Sequence, residues 1–240
     1  MKKLGIFVLK VNSRLLEHFG KPKRKLDSKP LDILIATILS QNTSDKNSLK
    51  AYHNLRKKFP AWADIKKASI SQLARTIRIA GLSRQKAKTI KELFKWLVNI
   101  NQHYSLGFLN DLSNEEVLSE LTKLQGIGVK TASCVLLFGM QRNVCPVDTH
   151  VFRTVNRIGI VSGSTPEKTF YALDKILPYG IAHEFHTNLI ILGRTICKPK
   201  KPECFNCPLV KLCNFKKKNL TSDFSSASNR RNDIILLDAI

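Results

Sequence analysis

Three groups of residues in this chain have types and spacings that chemistry can use. The first is Leu124 to Ala132, Leu-Gln-Gly-Ile-Gly-Val-Lys-Thr-Ala. Gly126 and Gly128 let the backbone take positive φ and come close to a ligand, and the helix that begins after them offers unpaired N–H groups and a positive dipole end. That combination seats a phosphate, and Lys130 adds a cation beside it. The second group is Val147-Asp148-Thr149-His150, in which Asp148 reads first as an N-cap for a helix starting near Thr149. The third is Cys197, Cys204, Cys207 and Cys213, a C-x6-C-x2-C-x5-C run within 17 residues. Four thiolates this close imply tetrahedral zinc or an iron–sulfur cube. Four-cysteine zinc sites more often use two C-x2-C hooks; the single hook and uneven spacing favour a 4Fe-4S cluster, with zinc as the alternative. Cys134 and Cys145 stand outside the run and read as buried small hydrophobes.

These groups need helices to hold them. Ser113 and Glu116 form a Ser-x-x-Glu pattern before Val117, Leu118, Leu121 and Leu124, the signature of a capped helix. The two glycines then interrupt it, and Thr131 to Gly139 resumes an apolar helix, so the stretch reads as two helices joined by a tight hairpin. Upstream, apolar spacing predicts helices over residues 4–19, 31–41, 45–59 and 71–80, with Pro30 in the first turn of the second. The polar cluster Ser40 to Asp45 caps helices and fills turns in its plain reading; in its functional reading, Gln41 and Asn42 are amides placed to probe bases. Gly81-Leu82 leads into a helix bearing Arg84, Lys86 and Lys88, a shape that can straddle a phosphate backbone or equally be a solvated basic helix. Further helices are predicted over 151–158, 166–177 and 183–196, with Thr165 and Pro166 starting the second of these. No run alternates with period two. The chain reads as all-α.

Composition narrows the partner. The 240 residues carry 40 Lys and Arg against 18 Asp and Glu, a formal charge of +22, so a polyanion is the expected ligand. No basic amphipathic helix with a lipid-facing side and no lipidation signal is found, and no stretch reaches the ~20 apolar residues a membrane helix needs. Lys10 cuts short the apolar run that follows Met1-Lys2-Lys3, so no signal peptide is read. An intracellular protein follows, in cytoplasm or nucleoid for a prokaryote, with no membrane partner. In that setting six cysteines argue for a metal site rather than disulfides.

Taken together, the Gly-x-Gly hairpin with its lysine, an aspartate 18 positions later and the terminal C-x6-C-x2-C-x5-C run resemble the endonuclease III branch of the helix-hairpin-helix DNA glycosylases, from about Leu26 to Cys213. The resemblance implies two helical lobes flanking a DNA-binding cleft. One is a six-helix barrel at about 26–142 with its hairpin at about 114–139. The other joins 1–25 to 143–216 and carries the 4Fe-4S cluster on the four cysteines. Residues 217–240 are left as a disordered tail. The implied partner is double-stranded DNA with a damaged base or abasic site, bound by a monomer.

The implied activity is base excision repair: removal of oxidised pyrimidines, then cleavage at the abasic site by β-elimination. A base in a duplex is out of reach and must be flipped out. Lys130 matches the nucleophile that attacks C1′ and forms a Schiff base, and Asp148 matches the catalytic carboxylate. Gly126, Gly128 and Val129 would offer N–H groups to a phosphate near the lesion. Gln41 and Asn42 stand where relatives carry a gap-filling glutamine, ungapped alignment favouring Asn42. Leu82 matches a wedge entering the opposite strand, and Arg84, Lys86 and His150 join the expected DNA contacts. Two other functions compete. A monofunctional mismatch glycosylase of this fold would typically lack the hairpin lysine, and a non-catalytic iron–sulfur DNA-binding protein would lack Lys130 or Asp148.

Overall fold

The computed structural model describes residues 2–101 and 103–221. Of the expected tail at 217–240, residues 222–240 lie outside this range. Every regular element among the described residues is helical, and the chain divides into two compact units. One comprises 2–24 and 143–221, the other 25–142.

The first unit begins with α1, Lys2–Phe19, which turns Val8, Val11 and Leu15 inward. Buried Asn12 on the same face donates through Nδ2 to Glu184 at 2.7 Å. The helix stops at Gly20, whose φ of 81° suits a glycine.

The 25–142 unit is built on α2, Pro30–Ser40. Pro30 occupies the first turn, where its missing N–H costs nothing. Ile33, Leu34, Ile35, Ile38 and Leu39 are fully buried, each worth about 1.5–3 kcal/mol by removal from water. Around it stand α3, Asp45–Lys58, capped by Ser44, α4, Ala63–Lys67, α5, Ile70–Thr76, and α6, Ser83–Asn101. The start of α5 differs from the helix predicted at Ser71: Ser69 and Gln72 form a complete capping box, which sets the boundary through hydrogen bonds rather than apolar spacing. A 3-10 turn, Arg78–Ala80, links α5 to the loop before α6. The hairpin follows as α7, Asn114–Thr122, and α8, Val129–Cys134. Ser113 and Glu116 make the expected capping box at the head of α7. Past Cys134 the chain widens into a π turn, Val135–Gly139, where apolar spacing predicts a continuous helix. Gly139 closes it: a Cβ there would lie 2.7 Å from Pro30 Cα, so the turn packs backbone against the head of α2. Arg142 then ties the unit's end, donating to the carbonyls of Leu109, Asn110 and Leu112 and to Asn114 Oδ1.

The first unit resumes with α9, Thr149–Ile158, α10, Pro166–Asp174, and α11, Ala182–Thr195. Thr165 caps α10 and Pro166 fills its first turn. α11 packs against both α1 and α9. Gly193 is required there, since a Cβ would stand 2.9 Å from His150 Cβ.

Candidate nucleic-acid interface and cysteine loop

The hairpin owes its shape to one of its two glycines. Gly126 has a φ of 89°, and a Cβ on it would come within 2.5 Å of Thr89 Oγ1; both facts demand glycine. Gly128 differs from the expectation of positive φ. It is extended, at φ −99° and ψ 178°, as the N-cap of α8, with nothing within 4 Å of where a Cβ would stand. Neither strain nor packing needs a glycine at that exposed position. Lys130 sits in the first turn of α8, half-buried.

Two loops of the same unit carry the other predicted contacts. After α2, Gln41 donates through Nε2 to the carbonyl of Gly126 at 3.0 Å and reaches Thr131 Oγ1 at 3.4 Å. Its amide therefore braces the hairpin. Asn42 next to it is exposed and holds a φ of 52°. Leu82, after Gly81, is likewise left-handed, at φ 46°, and 52% exposed. A bulky residue at positive φ is strained, and here it also presents an apolar side chain to water. Arg84 is exposed and lines a groove with Lys88, Glu92, Gln125 and Gly126.

Lys86 corrects the sequence reading. Its place in the basic run puts it beside Arg84 on a phosphate-facing surface, but it is 2% exposed. Its Nζ donates to the carbonyls of Leu39 at 2.7 Å and Ala80 at 2.8 Å. Burial pushes its pKa down to about 8. An ammonium so enclosed cannot reach a phosphate.

In the other unit, Asp148 caps α9 as predicted: Oδ1 accepts from the N–H groups of His150 and Val151, both at 2.8 Å. His150 is half-buried, and burial lowers its pKa against the opposing pull of the Asp148 charge. Arg153 Nη2 lies 3.3 Å from its Nδ1. The ring is thereby engaged with a neighbouring side chain of its own helix.

Arg153 and Arg157 were not singled out in the sequence, and they connect this helix to the cysteine loop. Arg153 donates to Gly193 O at 2.7 Å and Cys197 O at 2.8 Å. Arg157 donates to Lys198 O and Pro199 O, points Nη1 at Cys197 Sγ and stacks over Phe215. Their spacing of four residues on α9, just after a capping aspartate, was the available signal.

The four cysteines of the run line one pocket, together with Ile158, Leu192, Ile196, Leu209 and Phe215. Burial pushes the Cys207 thiol up to about 11 and raises that of Cys213 as well. A multiply charged metal centre would hold such half-buried groups as thiolates. Among the described residues no group of three or more histidine, cysteine or acidic side chains stands close enough together to hold a metal ion. Cys134 and Cys145 are buried, as expected.

Comparison with known proteins supplies the family and the fold. The family model described as "HhH-GPD superfamily base excision DNA repair protein" matches residues 35–179. Endonuclease III of Thermotoga maritima is 38% identical over 194 residues, covering 81% of this chain and 87% of that protein. A solved structure of a non-covalent endonuclease III–DNA complex superposes with a TM-score of 0.72 at 27% identity, covering 87% of this chain and 94% of the other. A trapped endonuclease III–DNA covalent intermediate gives 0.71 at 28% identity, covering 89% and 95%. No described helix is long and apolar enough to cross a membrane.

Proposed function

The chain belongs to the endonuclease III family within the HhH-GPD superfamily of base excision DNA repair proteins, and on that premise we propose that it excises oxidised pyrimidines from duplex DNA and cleaves the resulting abasic site through Lys130. The observation that carries the second half is a lysine in the first turn of α8, directly after the hairpin glycines. The lysine of a monofunctional relative is typically absent from that position.

Each residue takes one part. The N–H groups around Gly128 and Val129 hold a phosphate beside the lesion, with the positive end of the hairpin helix behind them. Lys130 Nζ, as a free amine, attacks C1′; the N-glycosidic bond breaks and its electron pair leaves with the base. Loss of a proton from nitrogen and opening of the sugar ring yield an iminium between Lys130 and C1′. Removal of a C2′ proton then expels the 3′ phosphate, and water releases the lysine. Asp148 spends Oδ1 on capping α9, which leaves Oδ2 to stabilise positive charge on the sugar and to move protons. Asn42, rather than the engaged Gln41, fills the gap left by the flipped base, and Leu82 enters the opposite strand. Arg84 and Lys88 face the backbone.

Cys197, Cys204, Cys207 and Cys213 fit a 4Fe-4S cluster by donor type and by their shared, mostly apolar pocket. When bound, the cluster supplies a multiply charged core that stiffens the loop. Arg153 and Arg157 hold that loop on α9 and so maintain the helix that Asp148 caps.

Borohydride trapping tests the central claim. Wild-type protein incubated with a duplex carrying one dihydrouracil should form a covalent adduct with DNA, and Lys130→Ala should form none. Full trapping by Lys130→Ala would reject the lysine assignment, and no trapping by wild type on lesion or abasic duplexes would reject the lyase.

A further inference from the structure

Lys86 is among the largest fully buried side chains of the described residues and is the charged one in that group. Its position is unfavourable twice over. Burial strips water from the ammonium, and the first turn of α6 faces it with a positive dipole end. The neighbouring Arg84 and Lys88 on α6 are exposed and meet neither cost.

What Lys86 bonds to explains its position. The last carbonyls of a helix lack partners within it. At the end of α2, Thr37 O accepts from Ser40 Oγ and Ile38 O from Gln41 N, and Leu39 O accepts from Lys86. At the Arg78–Ala80 turn, Ile77 O accepts from Ala80 N and Arg78 O from Gly81 N, and Ala80 O accepts from Lys86. Leu39 lies three residues before Asn42, and Ala80 two before Leu82. Both of those residues hold positive φ, which asparagine takes readily but which strains a leucine and persists there only where the surrounding structure enforces it. One ammonium thus fixes, by charge-assisted bonds, the take-off points of two left-handed bends that are far apart in sequence.

We propose that Lys86 is a positioning residue that yokes the Asn42 loop to the Leu82 loop, so that gap-filling and wedging occur as one coupled insertion into the duplex. This rests on the reading that these loops enter DNA. Lys91 provides the control within the same helix. Its Nζ donates to the carbonyls of Ile65, Lys66 and Ala68, so it closes the end of α4 and touches neither loop.

The experiment compares wild type, Lys86→Met and Lys91→Met on two substrates. The first is a duplex with one dihydrouracil, whose excision needs insertion; the second is a preformed abasic site in single-stranded DNA, where there is no stack to enter and no opposite strand. Lys86→Met should lose at least tenfold in duplex excision and stay within twofold on the single strand, while Lys91→Met shows no such split. Equal losses on both substrates, or the same split in Lys91→Met, would overturn the yoke. Should Lys86→Met fail to fold, a cycle of Asn42→Ala and Leu82→Ala, both exposed, decides: effects on duplex excision that fall short of multiplying support coupling, and independent effects overturn it. Failure of the glycosylase reading looks different. Wild type would then excise nothing, and the yoke would be judged by fluorescence of 2-aminopurine opposite a tetrahydrofuran site: a rise with wild type that is lost in Lys86→Met supports it, and the same response from both proteins overturns it.

Discussion

At Gly126 and Gly128 two identical residues, two positions apart, do different work. An added methyl at 126 would strain a φ of 89° and collide with Thr89, whereas at 128 it would meet open space in ordinary extended backbone. Gly126→Ala is therefore expected to lose roughly 1–3 kcal/mol of stability, measured by denaturant unfolding. Gly128→Ala puts a poor N-cap residue at the head of α8 and should lose no more than about 1 kcal/mol, while binding an abasic-site duplex more weakly, by fluorescence anisotropy. Unchanged DNA affinity in Gly128→Ala would remove the phosphate from this position. Gln41 and Asn42 divide in the same manner. One amide is tied to the hairpin through Gly126 O, and the other is free of that tie on a left-handed bend. Their side chains differ by one methylene, and what separates them is the tie of Gln41 to the hairpin and the left-handed backbone of Asn42.

α9 begins at a carboxylate that caps it and that the proposed mechanism also uses. Its N-cap is Asp148, its C-cap is the left-handed Gly159, and its inner face carries Val151, Val155 and Ile158. Asp148→Asn keeps an oxygen for the His150 and Val151 N–H groups but removes the charge. It should unfold within about 1 kcal/mol of wild type, yet excise dihydrouracil roughly 10²–10⁴-fold more slowly. Asp148→Ala should be equally slow and also lose about 1 kcal/mol from the missing cap. If the Asp148→Asn variant retains full rates, Asp148 is a cap alone. Lowering pH adds a second strain on this helix. Because burial depresses the His150 pKa below its unfolded value, the folded state takes up its proton later than the unfolded chain, and stability falls as pH drops through the ordinary histidine range towards the depressed value.

At the scale of the whole molecule, a charge of +22 gives attraction to DNA without choice of sequence. The cysteine loop supplies part of the surface of the 2–24 and 143–221 unit, held by Arg153 and Arg157. Protein purified without oxygen is expected to be brown, with broad absorbance near ~400 nm from sulfur-to-iron charge transfer, and to contain about four iron atoms. A colourless protein holding zinc would replace the cluster with a tetrahedral site. Stripping a bound cluster should lower the melting temperature, because the half-buried thiols at 207 and 213 would lose the charge that organises them.

The sequence by itself determined what depends on near neighbours. Ser113 with Glu116, Pro30, Thr165 and Asp148 marked helix starts, because each cap acts within three residues. The hairpin and the cysteine run stood out for the same reason, since each motif lies within one short stretch. Apolar spacing likewise told which faces turn inward. Only the tertiary structure decided what depends on distant carbonyls. Periodicity put Lys86 on a basic helix with Arg84, but the carbonyl of Leu39, 47 residues away, drew it into the core. The partner of Gln41 lies 85 residues on, and that of Arg153 lies 44. A side chain's type states what it can donate; which acceptor stands waiting is fixed when the helices pack.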